Sequence, residues 1–183
     1  ISCIDRNFSI YNIDEIFSIT PTGRSTDITK PYSRQTAYEL LWLINEHLLK
    51  LNPKNILEIG TASGGTSLIL SKIFTNSNVY GIDLTDALHP NELRKLRNHH
   101  MIIGNSTEQG TLQRLKEKCK EFDFIFIDGD HSEVGVMNDL KNYEPLLKSG
   151  GLLVFHDVRH EPPAGIKSIY YNKIKPKLQG SFE

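Results

Sequence analysis

Short apolar runs, each closed by polar or glycine residues, alternate along the chain with longer stretches whose apolar side chains recur at helical spacing. The runs NILEIG at 55–60, NVYGIDL at 78–84, HMIIGN at 100–105, FDFIFID at 122–128 and GGLLVFHD at 150–157 predict buried strands. Helices are predicted between them. The stretch 33–53 carries Leu40, Leu41, Ile44, Leu48 and Leu51 at helical spacing, with Ser33 as a cap and Pro53 as a stop. The stretch 61–74 reads as a turn running into a helix, 88–97 and 111–119 as helices, and 132–147 as a helix that gives way near Pro145. A last helix is predicted over 166–175, after a loop holding Pro162 and Pro163. Pro21, Gly23 and Pro31 make 1–32 an irregular N-terminal arm, which leaves 33–183 as a single domain.

Strands that alternate with helices build a parallel sheet covered on both faces, and the fold class is α/β. An open, doubly wound sheet binds ligands outside the carboxyl ends of its strands, near the point where strand order reverses. Glu58, Asp83, Asp128 and Asp157 each fall at such an end. Neighbouring strands lie about 4.8 Å apart, so these carboxylates would share one edge and one ligand. A sheet built only for stability has no need of that arrangement.

Composition narrows the classes of partner. Lys and Arg number 21 against 22 Asp and Glu, a net charge of −1 over 183 residues, which gives no electrostatic reason to expect nucleic acid. Lys167, Lys173, Lys175 and Lys177 crowd the last helix, where a solvated face accounts for them. Two cysteines, Cys3 and Cys119, are too few for a disulfide scaffold and suit a reducing interior, so the chain reads as cytoplasmic. No stretch has the length of a membrane span. The chain opens on Ile1, which suggests a trimmed product.

At the end of the first predicted strand stands Glu58-Ile59-Gly60-Thr61-Ala62-Ser63-Gly64-Gly65. Glycines there permit a tight turn, and the open amides of a helix start attract polar groups. A phosphate loop would need a lysine, and Gly65 is followed by Thr66 and Ser67. A dinucleotide fingerprint would need glycine at 62, where this chain has alanine. Asp83, ending the second strand, is placed to accept ribose hydroxyls from any adenosine cofactor.

Together with the Gly-Asn-Ser at 104–106 and the long segment FDFIFIDGDHSEVGVMNDLKNYEPLLKSGGLLVFHD, these motifs resemble the class I S-adenosylmethionine-dependent methyltransferases, and among them the small-molecule O-methyltransferases. The catechol methyltransferase-like enzymes and the proteins labelled cephalosporin hydroxylase or sugar O-methyltransferase share it. The resemblance covers roughly 33–157. It implies a Rossmann-like, mostly parallel sheet and S-adenosylmethionine as cofactor. Gly60, Thr61, Ala62 and Gly64 would then border the methionine part with Glu58 beneath the turn, Asp83 would hold the ribose, Leu84 would belong to the same cofactor site, Asn105 and Ser106 would lie beside the adenine, and Asp128 near the reacting methyl.

Methyl transfer to a small-molecule hydroxyl needs in-line alignment and a means of removing the hydroxyl proton, a general base or a metal. In the resembled metal-dependent enzymes one carboxylate ends strand four and two ligands end strand five, positions held here by Asp128, His156 and Asp157. His156 departs from the pattern, and an imidazole there either changes the divalent metal away from magnesium or stands outside the ligand set. His131 is the candidate base, in the loop after Asp128. Asp130 reads as the cap of the following helix, His99 and His100 as a solvated turn, and Trp42 and Tyr38 as core. Pro31, Tyr32 and Gln35 would border the substrate pocket.

A silent adenosyl-binding protein and a nicotinamide oxidoreductase are the rival readings. The resembled fold normally closes with an antiparallel hairpin, for which only LQGSFE at 178–183 remains. The hairpin therefore reads as truncated; were the chain complete, the open sheet edge would invite pairing with a partner, a homo-oligomer being one such outcome.

Overall fold

The computed structural model describes residues 37–86 and 93–177. Ser33, the arm with Pro31, Tyr32 and Gln35, the first part of the 88–97 stretch and the tail at 178–183 lie outside the described residues. So does the side chain of Tyr38.

Strands β1 (Asn55–Ile59), β2 (Asn78–Asp83), β3 (His99–Ile103), β4 (Phe122–Ile127) and β5 (Leu147–Phe155) form one sheet in the order β3-β2-β1-β4-β5. Every pairing is parallel. The chain steps outward from β1 to β3, then returns to place β4 against the other side of β1, so the order reverses between β1 and β4. This is the doubly wound, Rossmann-like sheet that the sequence implies, and its reversal point is where a ligand is expected.

Alternation along each strand divides the core in two. Leu57, Ile59, Tyr80, Ile82, Ile125 and Ile127 face helices α3 (Gln109–Lys118), α4 (Glu133–Tyr143) and the C-terminal α5 (Lys167–Ile169). Ile56, Val79, Phe124 and Phe126 face α1 (Ala37–Leu43) and α2 (Gly65–Ile73). Burial of one such side chain contributes about 1.5–3 kcal/mol, which is why β1, enclosed on both faces, is apolar at every position but its first and Glu58.

Long-range packing shifts several predicted boundaries. The first helix runs from α1 through a π-helical stretch, Ile44–Leu48, to a last turn at Leu49–Leu51, and Trp42 turns outward at 40% exposure rather than into the core. Of the helix expected at 88–97, the described residues form only a 3-10 turn, Leu93–Lys95. His99 and His100 belong to β3 and not to a solvated turn; His99 Nε2 is buried, and burial lowers that ring's pKa to about 4. Helix α4 stops at Tyr143, with Pro145 in the 3-10 turn that follows. β5 begins at Leu147 rather than at Gly150, because Leu147 already pairs with Phe122 and the register then slips to Phe124 with Leu152. Gly150, at φ +78°, sits within that irregularity.

Candidate active site

The end of β1 builds the first wall of the site. Glu58 is buried, and the Ser67 hydroxyl of α2 donates to its Oε2. Burial pushes the Glu58 carboxyl up to about 8, with Asp128 and Asp83 adding to the rise against the Ser67 bond. Beyond it the chain turns sharply, with Gly60 at φ +86°, Ala62 at +48° and Gly64 at +85°. The amides of Gly60 and Thr61 donate to the Ile82 carbonyl, that of Gly64 to the Thr61 carbonyl, and that of Ala62 to Asp83 Oδ2 at 2.7 Å. The turn is therefore held by the protein itself.

Asp83 joins this turn to the next. Its Oδ1 accepts from the Thr85 amide at 3.1 Å, while Oδ2 takes that of Ala62. A carboxylate can accept about four hydrogen bonds, so two remain for a ligand. Leu84 beside it is 68% exposed. After β3, Asn105 Oδ1 accepts from both the amide and the hydroxyl of Thr107, and the Ser106 carbonyl accepts from the Tyr143 hydroxyl at 2.8 Å. Behind this loop lies Asp139 of α4, fully buried, with neither oxygen in a hydrogen bond of good geometry. Burial raises its pKa to about 6, against the pull of the nearby Ser106 side chain.

The ends of β4 and β5 supply a four-residue cluster. Ile127 pairs with Phe155, so the next residues, Asp128 and His156, emerge side by side, and Asp157 follows in a left-handed conformation at φ +55°. Such strain in a residue other than glycine is typical of functional sites. His156 Nδ1 lies 3.1 Å from both Asp128 Oδ1 and Asp157 Oδ2. His131 Nε2 lies 3.6 Å from the same two oxygens. Candidate ligand atoms of Asp128, His131 and Asp157 fall within 4.8 Å of one another. Asp128 raises the His131 pKa against burial, and Asp157 adds to the rise. Burial opposes charge on His156, but the two carboxylates outweigh it and raise its pKa as well. Burial likewise opposes charge on Asp128, and the two imidazoles hold its carboxyl below the ordinary value.

One cavity of about 600 Å³ joins these walls. Glu58, Gly60, Thr61, Ala62, Asp83, Leu84, Asn105, Ser106, Asp128, His131 and Asp157 all line it, as the sequence reading requires of residues sharing one ligand. Gly64 and His156 stand behind its surface: Gly64 caps α2, and His156 closes the cluster from the sheet side, its ring 6.0 Å from that of Phe126. Thr66, Thr85, Gly129 and Asp130 line the cavity without having been singled out for it, and their positions next to predicted ligands were the available signal. Asp130 is not the helix cap. Ser132 is, its hydroxyl oxygen accepting from the Gly135 amide, while Asp130 accepts from the amide and hydroxyl of Ser132.

Residues 57–158 match the model of a family described as a methyltransferase domain. Mycinamicin VI 2''-O-methyltransferase from Micromonospora griseorubida is 32% identical over 110 residues, which are 56% of this chain and 27% of that protein. Rhamnosyl O-methyltransferase from Mycobacterium tuberculosis is 28% identical over 124 residues, 64% of this chain and 51% of that one. The chain thus spans about half the length of these curated relatives, or less. Among solved structures, the MycE methyltransferase of the mycinamycin pathway, in complex with Mg, SAH and mycinamycin VI, has the same fold, at a TM-score of 0.60 and 24% identity over 85% of this chain and 42% of that one.

Proposed function

We propose, from the premise that this chain belongs to the methyltransferase domain family, that it moves a methyl group from S-adenosylmethionine to a hydroxyl of a small molecule, with a divalent cation at the reacting end. The observation that carries the proposal is the convergence of Asp83, Asp128, His131 and Asp157 on a single cavity of cofactor size. The names of the curated relatives support an O-linked acceptor, and the magnesium and SAH of MycE support the cofactor and the cation.

The donors fit both. Asp83 has acceptor capacity left for ribose hydroxyls, and the exposed Leu84 offers an apolar surface beside it. Asn105 and Ser106 border the adenine end, and Glu58 supports the turn from beneath. Two carboxylate oxygens and an imidazole nitrogen form a set that could hold a divalent ion, and the residues proposed for it are Asp128, Asp157 and His156.

When bound, S-adenosylmethionine supplies a methyl already activated by its sulfonium, and the cation supplies acidification of the attacking hydroxyl. The chain's own part is alignment and proton removal. His131 faces the cavity and takes the hydroxyl proton at Nε2; Asp128 and Asp157, each 3.6 Å from that atom, favour the imidazolium that results. The cavity walls hold acceptor oxygen and methyl carbon in line, the geometry that transfer requires.

The reading extends to a cytoplasmic protein with a homo-oligomer formed through an outer strand, β3 or β5, of the described sheet. Among the described residues no helix is long and apolar enough to cross a membrane. The deciding experiment is addition of S-adenosylhomocysteine to the purified chain, which should raise its melting temperature, as mass action requires of a ligand that favours the folded state. An unchanged melting temperature at saturating ligand would end the methyltransferase reading.

A further inference from the structure

The cluster at the ends of β4 and β5 carries a nitrogen where an all-oxygen cation site would carry another oxygen. We propose that His156 Nδ1 is a ligand, and that it makes this centre selective for a nitrogen-accepting divalent cation of the manganese, iron or cobalt kind over magnesium. The inference rests on the methyltransferase reading of the same cavity, and it concerns which ion that cavity takes.

Three observations carry it. Nδ1 is buried yet in no hydrogen bond, although two carboxylate oxygens, Asp128 Oδ1 and Asp157 Oδ2, lie 3.1 Å away. The Nδ1 atom and the two carboxylate oxygens therefore face one shared point. Two carboxylates that converge on one point repel each other, and a cation held between them and Nδ1 removes that repulsion. Second, the ring is fixed. The His156 amide donates to the Ile127 carbonyl at 3.0 Å, and the ring stands edge-on to Phe126, so Nδ1 is oriented before an ion arrives. Third, His131 brings a second imidazole 3.6 Å from the same oxygens on the cavity side.

Donor chemistry sets the preference. Magnesium demands hard oxygen ligands and sheds water reluctantly, whereas imidazole suits first-row transition ions. Magnesium is therefore the ion that a histidine at this position handicaps, and a carboxylate at 156 should restore it.

The test begins with the chain treated with chelator, then titrated calorimetrically with manganese, cobalt or magnesium chloride alone. Manganese and cobalt should bind more tightly than magnesium, and in His156→Glu the manganese-to-magnesium affinity ratio should fall about tenfold or more. Because most sites prefer transition ions to some degree, the fall in that ratio is the decisive quantity. His156→Gln, which keeps a neutral side chain, serves the same comparison if the glutamate variant melts early. Pulsed electron paramagnetic resonance of bound manganese should show nitrogen coupling that persists in His131→Ala and disappears in His156→Glu. An unchanged ratio, or nitrogen coupling retained without His156, overturns the proposal. A titration with S-adenosylhomocysteine on the same samples separates the two failures: its binding with a magnesium-preferring centre rejects only this inference, while its failure to bind rejects the methyltransferase reading beneath it.

Discussion

The carbonyl oxygen of Asp128 occupies the space into which a side chain on Gly60 would project, so that any Cβ at position 60 collides with the end of β4. The glycine is required twice over, since its φ of +86° also lies in the left-handed region. Gly60→Ala should cost about 3 kcal/mol or more through strain and overlap together, read as a lower urea midpoint. A midpoint matching that of the parent chain would contradict the contact.

Asp83 and His131 should separate binding from chemistry. Asp83→Ala removes the proposed ribose acceptor and leaves the Ala62 and Thr85 amides without their partner, so calorimetry should show the affinity for S-adenosylhomocysteine falling about tenfold or more. His131→Ala should leave that affinity near the parent value while slowing transfer by roughly 10²–10⁴. Equal losses of affinity in the two variants would take His131 out of the proton-transfer role.

Glu58 gives stability a pH dependence. Its pKa is about 8 in the folded chain and near 4.5 when the chain unfolds. Between these values the folded state holds a proton that the unfolded state has released, so stability is greatest below the lower value and declines as pH rises toward the upper one. The loss should be on the order of a kcal/mol per pH unit across the window, and Glu58→Gln should flatten it in denaturant titrations. A parent chain more stable at pH 8 than at pH 5 would refute the assignment.

Asp139 works in the same direction over a lower window, from its ordinary value to about 6. Above that window the fully buried carboxylate is charged without a well-aligned partner. Asp139→Asn should therefore be more stable than the parent by about 1 kcal/mol at pH 8 and close to it at pH 5, by urea denaturation. Destabilisation at pH 8 would show that the charge is needed where it is.

Much of this was legible in the chain because two signals are local. Apolar runs mark buried parallel strands wherever the partners lie, and the carboxylates that interrupt those runs at Glu58, Asp83 and Asp128 have few other uses there. The errors came where a distant partner decides. Gly150 and Gly151 read as an entry turn, but Leu147 joins β5 because Phe122 stands opposite it. Asp130 and Ser132 are both good caps, and only the path of the loop chooses Ser132. His99 became a half-buried strand residue by pairing with Val79 of β2, and Trp42 is exposed rather than core. The pairing of His131 and His156 with the same two carboxylates has no sequence signature, since it depends on adjacent strand ends.

The Tyr143 hydroxyl on the Ser106 carbonyl has one more consequence. Helix α4 begins beside His131 and ends at that bond, so a rod of 11 residues, about 16 Å long, connects the loop of the proposed base to the loop proposed for the nucleobase. The chain thereby carries its own gauge: the spacing between these two walls of the cavity is cut into one helix.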